Sequence, residues 1–247
     1  MKLTVLGCGD AFGSGGRLQT SFHVARARGD VLIDCGATAL IGMARARLDA
    51  NRVSSMFISH LHGDHFAGLV WWMLHARFVA KRTAPLTIVG PPGIEARYVM
   101  ASEALFTRST TQPRKFELAF VEFAVGGAIE ADGVSCTALE VRHPSGAPSC
   151  ALRLTLEGKT IGFSGDTEWV DVLVEIARGA DLFITECYSH SDKVPYHTSW
   201  AEIAANLDRL TARRIMLSHM NTEMLTRRGS ITDARVLIAE DGMALDL

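Results

Sequence analysis

The amino-acid sequence predicts a mixed α/β protein built from layers of strands and helices. Short apolar runs typical of strands alternate with amphipathic helical stretches along the 247 residues, and this alternation is characteristic of layered α/β domains. A chain of this length buries about 70–75% of the surface that its unfolded form exposes, so it needs no disulfide to form a core. We therefore expect a single domain, 1–247.

The first half is predicted to contain five strands and three helices. Apolar runs bounded by Gly, Pro or charged residues indicate strands, and apolar residues three or four positions apart indicate helices. The strands are Lys2–Leu6, Ser21–Ala25, Asp30–Ile33, Val53–Ile58 and Leu86–Val89, and the helices are Ala37–Leu48, Asp64–Ala80 and Ile94–Ala104. Polar residues at 107–115 indicate a loop before the second half begins.

The second half repeats this mixture of strands and helices. Its predicted strands are Leu118–Phe123, Val134–Val141, Cys150–Leu156, Thr160–Ser164, Leu182–Thr185, Ile215–Ser218, Val236–Glu240 and Met243–Asp246, and its helices are Asp171–Arg178 and Trp200–Leu210. Ser59-His60 is echoed by Ser218-His219, and Asp34 and Asp166 each stand within two residues of a Gly after a strand. These echoes suggest two related halves, about 1–120 and 121–247, although chance also explains them.

Composition excludes several classes of protein. The net charge of −2 gives no overall basic field to attract nucleic acid. No run of 18 apolar residues is present, so no membrane span is expected. The N-terminal apolar run ends at Gly7, too soon for a signal peptide, and the five cysteines form no C-x-x-C pair. We expect a cytoplasmic protein with reduced, buried cysteines.

The strongest chemical signal is the segment His60-Leu61-His62-Gly63-Asp64-His65. It places four metal-binding side chains within six residues, and imidazole and carboxylate groups suit zinc as well as manganese or iron. His60 and His62 point the same way in an extended segment, whereas Asp64 and His65 begin a helix. Gly63 is expected to supply the freedom for the change of direction. Two pairs with different directions suggest two adjacent metals.

This segment resembles the H-x-H-x-D-H motif of the metallo-β-lactamase superfamily. The wider run Ile58–Leu69 is most similar to the ribonuclease Z-like branch, which consists of metal-dependent hydrolases and phosphodiesterases, and matching elements follow along most of the chain. The resemblance implies a four-layer αβ/βα sandwich, with two mixed sheets flanked by helices. It also implies a site with two divalent metals, for which we expect zinc.

The resemblance assigns residues to each metal. The first metal is expected to be held by His60, His62 and His143, and the second by Asp64, His65 and His219. Asp166, in the sequence Ser164-Gly165-Asp166-Thr167, is expected to bridge them. Each metal then has about five ligands once a bridging hydroxide is counted, which leaves room for a substrate.

Asp64 and His197 are the residues predicted to act in catalysis, and two carboxylates are predicted to support the site. His197 matches the histidine of an H-S-T element in this branch and is expected to assist departure of the leaving oxygen. Glu186, at the end of a strand, is a candidate to orient His197. Asp34 matches an early Asp of the branch and is expected to accept the free N–H of a ligand histidine; a plain turn is its alternative role.

The predicted reaction is phosphodiester hydrolysis by a hydroxide activated between the metals. Ribonuclease Z proteins carry a long arm that clamps tRNA, often between the positions of His143 and Asp166, but here these residues are only 23 positions apart. We therefore expect a small or short phosphodiester, of cyclic-nucleotide type, rather than RNA. The basic residues Arg108, Arg114 and Lys115 form only a thin candidate contact for phosphates.

Three other functions remain as alternatives. Ribonuclease Z-type processing of tRNA 3′ ends is the first. A thioesterase like glyoxalase II, or another hydrolase of the superfamily, is the second, although thioesterases of that type normally lack the element of His197. A non-catalytic metal-binding scaffold is the third. Related proteins often form homodimers, and the sequence does not decide whether this one does.

Overall fold

The computed structural model describes all residues from Met1 to Leu247. It contains fourteen strands and seven α-helices. The strands are β1 (Lys2–Gly7), β2 (Ser21–Ala25), β3 (Asp30–Ile33), β4 (Val53–Phe57), β5 (Leu86–Gly90), β6 (Leu118–Glu122), β7 (Ala128–Ala131), β8 (Val134–Glu140), β9 (Cys150–Leu156), β10 (Lys159–Phe163), β11 (Leu182–Glu186), β12 (Ile215–Ser218), β13 (Val236–Ile238) and β14 (Ala244–Asp246). The helices are α1 (Ala39–Arg45), α2 (Gly63–Phe66), α3 (Gly68–Phe78), α4 (Ile94–Leu105), α5 (Val172–Ala177), α6 (Trp200–Ala205) and α7 (Thr222–Arg227).

The strands form two seven-stranded mixed sheets with the same succession of pairings. The first sheet has the order β14-β1-β2-β3-β4-β5-β6 and the second β7-β8-β9-β10-β11-β12-β13. Read in these orders, each sheet has three antiparallel pairs followed by three parallel pairs. β3 and β10, which precede Asp34 and Asp166, are both fourth. The Ser-His echo, in contrast, falls on non-equivalent strands, because β4 is fifth and β12 is sixth.

Three apolar clusters hold the layers together. Side chains of both sheets, including Phe22 and Phe163, meet in the cluster between them. A second cluster packs α1, α3 and α4 on the outer face of the first sheet, and a third packs α5, α6 and α7 on the second sheet. The predicted four-layer αβ/βα sandwich is therefore confirmed.

The predicted helix Asp64–Ala80 is divided into α2 and α3, which corrects the sequence-based assignment. The backbone N–H of Gly68 donates to the carbonyl of Cys35 at 2.9 Å, and that of Cys35 donates to the carbonyl of His65 at 2.6 Å. These bonds to the segment after β3 replace continuous helical hydrogen bonding across Ala67. The break is thus imposed by the contact between the helix and the first sheet.

Other differences occur where local signals are weak. The edge strand β7 was not predicted, since its four residues show only a short alternation of exposed and half-buried positions. Helix α7 was also not predicted, although the Asn221 side chain caps it by accepting from Met224 N. The predicted helix Trp200–Leu210 ends at Ala205 and continues as a 3₁₀ turn, Leu207–Arg209. No helix combines the length and the apolar character needed to cross a bilayer.

The two glycines near the start of the paired helices have different roles. A Cβ at Gly68 would lie 2.2 Å from the carbonyl oxygen of Gly36 and 2.6 Å from that of Cys35, whereas a Cβ at Gly63 would meet nothing closer than 3.8 Å. Gly63 is also absent from the glycines with positive φ. The expectation that Gly63 is needed for its conformational freedom is therefore wrong, and close packing requires glycine at position 68.

We expect Gly68→Ala to lower the free energy of unfolding by about 2 kcal/mol, because backbone atoms must move to admit the methyl group. The matched control, Gly63→Ala, should stay within about 1 kcal/mol of the wild type. Chemical denaturation of the metal-free proteins measures both. Equal losses for the two variants would contradict this account of the helix junction.

Candidate metal centre and active site

The candidate site lies where parallel strands of both sheets end. Asp34 follows β3 and His60 follows β4 in the first sheet, while Asp166 follows β10 and His219 follows β12 in the second. Open α/β sheets bind ligands beyond the carboxyl ends of their strands. The two sheets therefore bring residues from distant parts of the sequence to one place.

The first group of side chains comprises His60, His62 and His143. One ring nitrogen of each lies within 4.8 Å of one ring nitrogen of each of the others. His62 Nδ1 and His143 Nε2 are 2.9 Å apart. Burial lowers the pKa of His60 well below its usual value and that of His143 to about 4. Both rings are therefore neutral at pH 7, the state in which imidazole binds a metal.

The second group comprises Asp64, His65, Asp166 and His219, all of which are buried. His219 Nε2 lies 3.1 Å from Asp64 Oδ2 and 3.3 Å from Asp166 Oδ2. Burial would raise the pKa of Asp166, but the neighbouring His219 and His65 outweigh it and hold that pKa well below the usual value. The group therefore presents ionised carboxylate oxygens beside imidazole nitrogens.

Asp166 stands between the two groups. Its Oδ2 is 3.9 Å from both His60 Nε2 and His143 Nε2, and its Oδ1 is 3.2 Å from His65 Nε2. This carboxylate is 4% exposed. One carboxylate that faces ligand nitrogens of both groups has the arrangement expected of a bridging ligand.

Several buried polar atoms in this cluster have no hydrogen-bond partner. They are His60 Nε2, His65 Nε2, His219 Nδ1 and Asp166 Oδ1. Buried polar groups almost always have partners, so a concentration of unpartnered ones marks a place where an ion can complete the contacts. The residues present therefore fit the two divalent metals that the superfamily implies.

Asp34 supports His65 directly and His60 through Ser59. Its Oδ2 lies 2.6 Å from His65 Nδ1 and accepts from Ser59 Oγ at 2.8 Å, while Oδ1 accepts from the Ser59 N–H at 2.7 Å. Ser59 Oγ, whose proton points to Asp34, lies 3.0 Å from His60 Nδ1 and accepts from it. In their neutral forms both rings therefore hold the proton on Nδ1 and keep the Nε2 lone pair for metal binding.

Sequence reasoning missed two of the supporting groups. Ser59 stands out in the sequence only as part of the Ser-His echo, although its place between Asp34 and His60 is what joins them. The backbone carbonyl of Tyr196 accepts from His143 Nδ1 at 3.0 Å. No side-chain pattern signals a backbone acceptor, so this contact requires the tertiary structure. The backbone of Tyr196 has a positive φ of 66°, which is uncommon for a residue other than glycine.

His197 and Glu186 form a pair beside the two groups. His197 Nδ1 lies 2.8 Å from Glu186 Oε2, and the other Glu186 oxygen accepts from the Thr167 N–H. The His197 ring stacks on Tyr188, with ring centroids 4.5 Å apart, and is 5.1 Å from the ring of His143. Its side chain is 20% exposed. The structure therefore fixes the ring and leaves Nε2 free to meet a substrate.

A family model described as Anti-Pycsar protein Apyc1 matches residues 1–242. The chain belongs to this family. Among curated proteins, the ribonuclease Z of Methanosarcina acetivorans is 25% identical over 306 aligned positions, which cover 100% of this chain and 98% of the relative. The ribonuclease Z of Mycobacterium bovis is 27% identical, with 89% of this chain and 85% of the relative covered.

Solved structures share the fold at lower identity. The short form of human tRNase Z has a TM-score of 0.80 and 22% identity, and the alignment covers 100% of this chain and 99% of that one. A diphosphatase of the PhnP family has a TM-score of 0.78 and 20% identity, and the alignment covers 100% of this chain and 97% of that one.

The predicted membership of the ribonuclease Z-like branch of the metallo-β-lactamase superfamily is confirmed. The prediction of a metal-dependent hydrolase is confirmed at the level of class.

We expect Asp34→Asn to weaken metal binding by about 10–100-fold, because the neutral amide no longer holds the proton on His65 Nδ1 as firmly. Competition with a chromogenic zinc chelator measures the affinity. Asp208→Asn, at an exposed position remote from the site, is the control. Wild-type affinity in Asp34→Asn would show that this carboxylate acts only in the turn after β3.

Proposed function

We propose that this chain is a phosphodiesterase that uses two divalent metals, preferably zinc, to hydrolyse small phosphodiesters such as cyclic nucleotides. The observation that carries the proposal is the position of the Asp166 carboxylate between two groups of ligands, with the His197–Glu186 pair beside them. A scaffold that only stored metal would need no positioned acid next to the ligands. Neutral imidazole and carboxylate donors, without a nearby free thiolate, suit zinc.

The ligands divide into two sets with one shared member. We assign His60, His62 and His143 to one metal, and Asp64, His65 and His219 to the other, with Asp166 as the shared ligand. When bound, two such metals lower the pKa of water to about 7 and neutralise charge on a phosphoryl group. The three ligands of each set leave positions for water and substrate, as catalytic sites require.

Each charged side chain has a separate part in the reaction. The carboxylates of Asp64 and Asp166 offset part of the charge of the two divalent ions, so a single anionic phosphodiester remains attracted to the site. His197 is oriented by Glu186 through Nδ1, and we assign to its Nε2 the transfer of a proton to the leaving oxygen. The Tyr188 ring limits rotation of that imidazole.

The small size of the substrate is supported by what the chain lacks relative to a ribonuclease Z. The interval from His143 to Asp166 contains only a loop and the hairpin of β9 and β10, which are joined by Glu157 and Gly158. The alignment with the Methanosarcina acetivorans protein has 306 positions, 59 more than the 247 residues of this chain. Segments of that relative therefore have no counterpart here, and an arm that clamps tRNA is not expected.

The direct test is a substrate panel with the zinc-loaded protein. We expect turnover of bis(p-nitrophenyl)phosphate and of cyclic nucleotides, with little cleavage of precursor tRNA or of glutathione thioesters. Preferred cleavage of precursor tRNA would instead support ribonuclease Z activity, and preferred thioester hydrolysis would support a glyoxalase II-like enzyme.

Asp166→Ala should abolish both turnover and stoichiometric metal; full activity in this variant would contradict the shared-ligand assignment.

We expect His197→Ala to reduce turnover by about 10²–10³-fold while metal content stays near two ions per chain, because this residue moves a proton and does not bind metal. The loss should be smaller for aryl esters, whose leaving groups need less protonation, than for cyclic nucleotides. Elemental analysis beside initial rates measures both properties. Loss of one metal ion from the variant would recast His197 as a ligand.

Two further predictions concern the molecule in the cell. A cytoplasmic location agrees with the five cysteines, all of which are buried and unpaired, as is usual in a reducing compartment.

Homodimer formation also stays a prediction. We assign to it the exposed apolar side chains of Trp71 on α3, of Val99, Met100 and Leu105 on α4, and of Phe106, which follows α4.

A further inference from the structure

A concave basic surface lies at the opposite end of α3 from the metal-binding motif. α3 begins at Gly68, three residues after His65, and ends at Phe78; its eleven residues span about 16 Å. The cavity of about 240 Å³ at this far end is lined by Arg77, Phe78, Lys81, Arg82, Arg114 and Lys115, together with Pro113. We call these residues the basic pocket. It stands apart from the centre that carries the proposed reaction.

The positive charges of the basic pocket have no ion-pair partner in the protein. None of its five cationic side chains forms an ion pair, and no carboxylate lines the cavity. The carboxylates in its vicinity have other partners. Asp49 accepts from the Asn51 N–H, and Glu103 accepts from the Arg108 and Thr110 N–H groups. Five cationic side chains without an ion-pair partner, on a chain whose net charge is −2, favour an anionic ligand.

The cations differ in what they offer a ligand. The Arg82 guanidinium donates hydrogen bonds to five backbone carbonyls, including those of Val53 and Pro85. Arg82 therefore contributes charge to the pocket but has no free donor for a ligand. Arg77 donates through Nη1 to the Ser109 carbonyl, while its Nε is buried without a partner. The side chains of Lys81, Arg114 and Lys115 are exposed and free to donate. Four side chains can thus bind several phosphoryl oxygens at once.

The walls of the basic pocket suit a base or sugar as well as phosphate. The Phe78 side chain is 59% exposed, and the Arg77 guanidinium carbon lies 5.1 Å from the centre of its ring. An exposed aromatic face beside cations is a surface on which nucleobases stack. A cavity of this volume holds the polyphosphate of one nucleotide while the base lies against Phe78.

We infer that the basic pocket binds a nucleoside polyphosphate, one per chain, at a site separate from the metal centre. A nucleic-acid strand fits less well, because the exposed surface nearer the metal motif includes the apolar side chains of Trp71 on α3 and Phe106 just after α4, whose ring centroids lie 6.3 Å apart. A strand needs cations along its path. The inference does not depend on the proposed phosphodiesterase activity.

The test is titration calorimetry of the zinc-loaded full chain with adenosine 5′-(β,γ-imido)triphosphate at low salt. We expect one equivalent to bind, at least about tenfold more tightly than AMP, because each additional phosphate adds charge contacts. Arg114→Glu/Lys115→Glu changes two exposed side chains without hydrogen-bond partners and should weaken binding about tenfold or more, since each exposed charge contact is reversed rather than merely removed. Arg178→Glu, at an exposed and unpaired position remote from the pocket, is the matched control and should bind as the wild type does.

The same titration distinguishes the basic pocket from the metal centre and from a nucleic-acid site. Asp166→Ala, with its fold checked by circular dichroism, should retain nucleotide binding even when it has lost metal and turnover. Binding that disappears in Asp166→Ala but persists in the double charge reversal would overturn the inference in favour of the metal centre. No binding at millimolar nucleotide, or tighter binding of a single-stranded RNA 20-mer that the double reversal abolishes, would also overturn it.

Discussion

The buried carboxylate of Asp34 is the contact on which the arrangement of the site depends. It joins the end of β3 to Ser59 after β4 and to His65 in α2, so three elements are fixed by one side chain. Asp34 is fully buried and adopts a positive φ of 56°, which is uncommon for a residue other than glycine. Its burial raises the pKa of its carboxyl, and the hydrogen bonds from His65 and Ser59 oppose that shift. The positive φ and the burial of this carboxylate both cost free energy, and they occur where the imidazole rings of the site are oriented.

The backbone beside Asp34 extends this constraint to the helices. Cys35 accepts from Gly68 and donates to the carbonyl of His65, so α2 is separated from α3 and packs directly on the turn after β3. Only glycine at position 68 permits that approach. Metal binding and the stability of the fold are therefore connected here, because the turn that orients the first ligands also anchors the helical layer of the first sheet.

Electrostatics divides the molecule into two functional surfaces. At the strand ends, carboxylates and imidazoles are buried together and leave several polar atoms without partners, an arrangement that a pair of cations completes. At the far end of α3, the charges are cationic and no carboxylate lines the cavity. The same helix therefore begins at a site for cations and ends at a site for anions. These opposite preferences follow from which side chains are left unneutralised and not from the net charge of the chain.

The sequence alone determined the layered fold and the candidate ligands that are close together along the chain. Strands such as Ser21–Ala25 and Cys150–Leu156 have the predicted bounds, because their apolar patterns are local. The motif predicts a metal site from four side chains within six residues, His60, His62, Asp64 and His65. The resemblance to a family extends the predicted site to His143, Asp166 and His219. Only the tertiary structure decided the role of Ser59, the Tyr196 carbonyl, the break between α2 and α3, and the basic pocket. Each of these depends on a contact between segments distant in sequence, made by a backbone group or by a side chain with no distinguishing pattern, and such contacts exist only after the two sheets have packed together.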